Sequence, residues 1–73
     1  MIHCHLDRYM HRDHLTVSEV ARRTGLNRST VTALARQAAT RVDLPAVERL
    51  CELFGCGVGE LFERLPAGTV GRS

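Results

Sequence analysis

An all-α fold, a compact bundle of four to five short helices containing a helix-turn-helix, is predicted by three observations. The chain is 73 residues long, the size of one small domain with a single core. Its apolar content is Leu, Val and Ala with almost no aromatics, only Tyr9, Phe54 and Phe62 and no Trp, a mixture that suits packed helices better than a small barrel. Apolar residues also recur at helical spacing in several segments separated by Gly or Pro.

The first segment is the least determined. Ile2, Cys4 and Leu6 alternate with His3, His5 and Asp7, a pattern open to either a short strand or the frayed start of a helix. From Leu6 the spacing Leu6, Tyr9, Met10 predicts a first helix ending near Asp13 and His14. Thr16-Val17-Ser18-Glu19 has the form of a capping box and opens a second helix, with Val17, Val20, Ala21 and Thr24 on one face. Gly25 closes it where a left-handed residue is needed, and Leu26 follows as the apolar residue that packs back over the turn.

Asn27 is placed as the N-cap of a third helix with Val31, Leu34, Ala35 and Ala38 inward and Arg28, Ser29, Thr32, Ala33 and Arg36 outward. That outward face is unusual, because no acid occurs between Asn27 and Val42. Asp43 caps a fourth helix with Pro45 in its first turn and Leu44, Val47, Leu50, Cys51 and Phe54 along one side, ended by Gly55. A last helix over 58–64 buries Leu61, Phe62 and Leu65 before Pro66. Residues 1–66 are read as the domain and 67–73 as a flexible tail.

Charge and chemistry narrow the function. All ten basic residues are Arg, whose forked donors match phosphate and guanine. Residues 1–42 hold seven Arg against three acids, and residues 43–73 three Arg against five, so one half of the chain is suited to a polyanion. No long apolar run and no basic-then-apolar leader occurs, so a cytoplasmic protein with no membrane partner is expected. Cys4, Cys51 and Cys56 have neither CxxC spacing nor an even count, which argues against a disulfide framework or zinc ribbon. His3 and His5 share a strand face, and His11 and His14 a helix face. Neither pair has a ligand spacing with the cysteines, so no metal and no cofactor is expected. Asp13 and His14 lack an accompanying nucleophile or second carboxylate, and no enzyme is expected.

Two short helices joined by a glycine turn, the second with a polar basic face, form a helix-turn-helix. The run from Leu15 through Glu19-Val20-Ala21 and Thr24-Gly25-Leu26 to Arg28-Ser29-Thr30-Val31 resembles that of the lambda-repressor-like Xre/Cro regulators. The segments Asp43 to Cys56 and Gly59 to Phe62 are similar to the last two helices of that family's short single-domain members. The resemblance implies a DNA-binding transcriptional regulator, repressing by default, with base contacts from Arg28, Ser29, Thr32 and Ala33. It implies phosphate contacts from Thr16, Asn27, Thr30, Arg36 and Arg41.

Two departures from the family pattern bear on the site. Val17 stands where many members carry a Gln that braces the third helix and holds a phosphate. The segment 36–41 has no Gly where many members turn through Asn-Gly-Lys, which predicts a longer third helix with Arg36 or Arg41 supplying the basic contact. A homodimer is expected through Leu61, Phe62 and Leu65, because so small a chain can hardly hide every apolar residue of its last helix. The competing reading is an antitoxin-like or accessory module that uses the same fold to hold a protein partner.

Overall fold

The computed structural model describes residues 1–66. In chain order these form β1 (Ile2–Cys4), α1 (Leu6–Arg12), α2 (Val17–Thr24), α3 (Arg28–Ala35), α4 (Leu44–Phe54), α5 (Val58–Leu61) and β2 (Phe62–Arg64). The fold is mostly helical, and one two-stranded antiparallel sheet joins its two ends, with Ile2 opposite Arg64 and Cys4 opposite Phe62.

The core is built as the helical periodicities require. Val20 and Ala21 from α2, Val31 and Leu34 from α3, and Leu50 and Phe54 from α4 meet Leu6 and Met10 from α1 and Leu61 from α5. Leu6, Val20, Val31, Leu50 and Leu61 are completely enclosed. Burial at about 1.5–3 kcal/mol per side chain offsets the ordering of helices too short to form alone. Thr24 is the one buried polar residue of this group, and it is satisfied locally. Its hydroxyl donates to the Val20 carbonyl at 2.7 Å and accepts from the Leu26 N–H at 3.3 Å.

Helix boundaries follow their caps. The capping box of α2 is complete: Glu19 N–H donates to Thr16 Oγ1 at 3.2 Å, and Thr16 N–H donates to the Glu19 carboxylate at 2.9 Å. Gly25 sits at φ 77°, and its N–H returns to the Ala21 carbonyl at 2.8 Å. Asp43 caps α4 by accepting from Ala46 N–H at 2.9 Å.

The structure corrects several expectations. Of the two readings open for the first segment, Ile2–Cys4 takes the strand, while the last helix, expected over 58–64, stops at Leu61, because Phe62–Arg64 pair with β1 instead of continuing the helix. The pairing is extended by His5 N–H to Leu61 O at 2.8 Å and Leu65 N–H to Met1 O at 2.7 Å. Leu61 is 0% exposed, so it belongs to this chain's own core and offers nothing to a partner surface, while Phe62 and Leu65 are half-buried. In α4 the buried line runs through Ala46, Leu50 and Phe54 with Val47 beside it, and Leu44 turns outward at 81% exposed. The first α1 turn to fail is at His14, which adopts φ 57° outside the helix, so His11 and His14 share no helix face.

The third helix does not run on as the missing glycine predicts; it ends at Ala35. Gln37 takes φ 62°, and the N–H groups of Ala38 and Ala39 both return to the Ala33 carbonyl, at 2.8 and 3.2 Å. Ala38 is therefore exposed and not on an inward stripe. A left-handed residue without glycine is unusual. Here the Gln37 side-chain amide is bound at both ends by β1, accepting from Cys4 N–H at 2.8 Å and donating to the Cys4 carbonyl. It acts as a one-residue third strand that fastens the end of α3 to the sheet.

Candidate nucleic-acid interface

The glycine turn sets the relation of α2 to α3. Gly25 reverses the chain, Leu26 packs on the core, and Asn27 leads into α3 with an extended backbone, φ −69° and ψ 147°. Arg49 from α4 braces this turn, its guanidinium reaching the Thr24 carbonyl at a long 3.5 Å. Sequence reading passed over Arg49; the signal available was the unsatisfied carbonyl at the C-terminal end of α2, which favours a cation.

With Val31 and Leu34 buried, the opposite side of α3 is fixed. Arg28 and Ser29 are exposed on its first turn, Thr32 and Ala33 are half-exposed one turn later, and Arg36 is exposed at the C-cap. From one turn to the next these positions recur three or four residues apart and so present a continuous strip of short side chains between two Arg. No acid lies on the helix, and none of these side chains takes part in an ion pair or hydrogen bond among the described residues.

The expected phosphate residues fall in two places. Asn27, Thr30 and Arg41 line one polar hollow of about 490 Å³, together with Gly25, Val42 and Asp43. Asn27 occupies the N-cap position, but its side chain does not close on the helix, so both the amide and the first N–H groups of α3 are left for another partner. Asp43 within the hollow is already engaged in capping α4. Thr16 stands apart at the start of α2, its backbone N–H committed to Glu19 and its hydroxyl oxygen accepting from the same residue. Val17, in place of a polar brace, is half-buried against the core.

The electrostatics of α2 reinforce its cap. Hydrogen bonds from the Thr16 backbone and side chain hold the Glu19 carboxyl below its usual range, with Arg23 and Arg22 adding attraction. Elsewhere the charges serve structure: Arg12 is bound by Asp13 at 2.7 Å, donates to the Phe54 carbonyl at 3.1 Å, and lies over the Tyr9 ring at 4.8 Å. His5 lies beyond the end of β1, at the N-cap of α1, so it shares no strand face with His3, although their ring centroids are 4.7 Å apart; His5 lies 2.9 Å from the Glu63 carboxylate. Among the described residues no three His, Cys, Asp or Glu are gathered as metal ligands would be.

Residues 5–67 match the family described as the Cro/C1-type HTH DNA-binding domain. The chain belongs to that family. As a Cro/C1-type domain it is a DNA-binding regulator. No curated protein relative matches the chain. No helix among the described residues is long and apolar enough to cross a membrane.

Proposed function

We propose that this Cro/C1-type domain recognises a specific DNA sequence by laying α3 in the major groove, and represses transcription by occupying a promoter as a dimer. The observation that carries this reading is the acid-free strip of Arg28, Ser29, Thr32, Ala33 and Arg36 on the second helix of a glycine-turned pair. The major groove of B-DNA accepts one α-helix, and the residues at its start point at base edges. Arg28 supplies a forked donor pair for guanine O6 and N7. Ser29 and Thr32 supply hydroxyls, and Ala33 an apolar contact for a thymine methyl.

Asn27, Thr30 and Arg41, gathered at one hollow, and Arg36 at the far end of the strip, grip the backbone, with Thr16 at the start of α2 as a further contact. Two copies related by a two-fold axis present two such helices to half-sites about 34 Å apart.

The test is a set of binding isotherms on a cognate duplex and a scrambled one. Replacing Arg28 by Ala is expected to cost about 1–3 kcal/mol on the cognate site and to relax preference at one base pair. Replacing Arg36 or Arg41 by Ala weakens both duplexes alike, because phosphate contacts carry no sequence information. Equal loss of selectivity from all three substitutions contradicts these roles.

A further inference from the structure

Three thiols are free among the described residues, and the close of α4 brings two of them, Cys51 and Cys56, together. Gly55 turns the chain at φ 65°, and the Cys56 N–H returns to the Cys51 carbonyl at 3.1 Å, the six-to-one bond of a Schellman motif. That motif commonly sets the side chains of the two bonded residues against each other as an apolar contact. Here both are cysteine, and the two thiols lie close enough to interact. A 3.1 Å bond between the N–H of one residue and the carbonyl of the other holds their α-carbons no more than about 7 Å apart. Any bend in that path brings them into the roughly 4.4–6.8 Å that a disulfide spans. Both thiols are half-buried and line a groove of about 800 Å³ between β1, α4 and α5, walled by apolar side chains such as Ile2, Leu44, Val47 and Val58. A small molecule entering the groove therefore reaches them. Cys4 borders the same groove, but it is packed into the core and only 4% exposed.

We propose that Cys51 and Cys56 form a redox-active dithiol, which a hydroperoxide closes to a disulfide within the chain and a thiol reductant reopens. In the first step one sulfur, as thiolate, attacks the peroxide O–O bond, becomes a sulfenic acid and releases an alcohol, or water when the oxidant is hydrogen peroxide. In the second, the other sulfur attacks that sulfenic sulfur, the S–S bond forms and water leaves. Two thiols thus lose two protons and two electrons, and one hydroperoxide is reduced to one alcohol and one water. Burial pushes the Cys51 thiol up, so it stays protonated at rest and the first attack falls to Cys56. The bridge staples the last turn of α4 to the segment that leads into α5. Neither cysteine is among the residues assigned to DNA, so this site and the DNA reading stand or fall separately.

The experiment exposes the reduced full chain to hydrogen peroxide, blocks the remaining thiols with iodoacetamide and weighs the tryptic peptides. Cleavage after Arg49 and Arg64 releases 50–64 with both cysteines, while Cys4 falls in 1–8. Wild type is expected to yield 50–64 without either alkyl group and lighter than the dithiol peptide by the mass of two hydrogens. Dithiothreitol added before blocking is expected to restore both alkylation sites. C51S and C56S, checked for helicity by circular dichroism, are expected to lose the bridged form, and their remaining thiol to gain oxygen or stay free. C4S is expected to keep it. Wild-type thiols that survive peroxide, or a 50–64 that gains oxygen on each sulfur with no bridged form, overturn the proposal. So does a bridge joining 1–8 to 50–64 or joining two chains, or loss of the bridged form in C4S.

Discussion

At the scale of single residues, the geometry of the proposed DNA-reading surface depends on Gly25. Its φ of 77° is open to glycine without penalty and costs an L-residue about 1–2 kcal/mol. A β-carbon there would meet only Arg49 Nη1 at 3.6 Å, an ordinary contact, so the cost is backbone strain and not collision. G25A is expected to lower stability by about 1–2 kcal/mol in denaturant unfolding, with an unchanged denaturant slope. Arg49 and Gln37 contribute in another way, one closing the carbonyl end of α2 and the other tying the end of α3 to β1. Neither role shows in local sequence, since each bond spans more than twenty residues. The left-handed Gln37 is favoured by a partner 33 positions away and not by its own side-chain preference.

At the scale of elements, helix starts and stops were readable where the chemistry is local. Thr16 with Glu19, Gly25, Asp43 with Pro45, and Gly55 all act within one turn of the chain, and the observed caps coincide with them. The sheet was not readable in the same way. Pairing Ile2 with Arg64 joins segments at opposite ends of the described chain, and a three-residue strand has too few positions to distinguish its period from a helical turn. Leu44 was misplaced for a related reason. Its spacing to Val47 and Cys51 fits a helical stripe, but the buried line centres one step round the helix, on Ala46 and Leu50.

The α2 cap has a pH signature. Because the folded state favours the charged Glu19, it contributes stability above the ordinary glutamate range near about 4.3. That contribution is lost as pH falls through the lowered folded value. E19Q is therefore expected to be less stable than wild type at neutral pH, with the difference narrowing on acidification. Thermal melts of both proteins across the acid range measure it.

At the scale of the whole molecule, basic and acidic groups are carried by different elements. The acid-free strip of α3 and the hollow with Asn27, Thr30 and Arg41 are suited to a polyanion, whereas α4 presents Glu48 and Glu52 beside the apolar groove. Arg41 lines both hollows and lies between the two surfaces. With about three to five phosphates neutralised per copy, log K is expected to fall by about 0.9 per phosphate for each decade of salt, and an affinity insensitive to salt contradicts the phosphate assignments.

The most direct measurement is selection of bound duplexes from a randomised DNA pool at moderate salt, with wild type and R28A side by side. Recognition by α3 predicts an enriched two-fold symmetric motif with wild type, its half-sites about one helical turn apart, and relaxed preference at one position of each half-site with R28A. Absence of any enriched sequence with wild type, or an identical motif from both proteins, would contradict it.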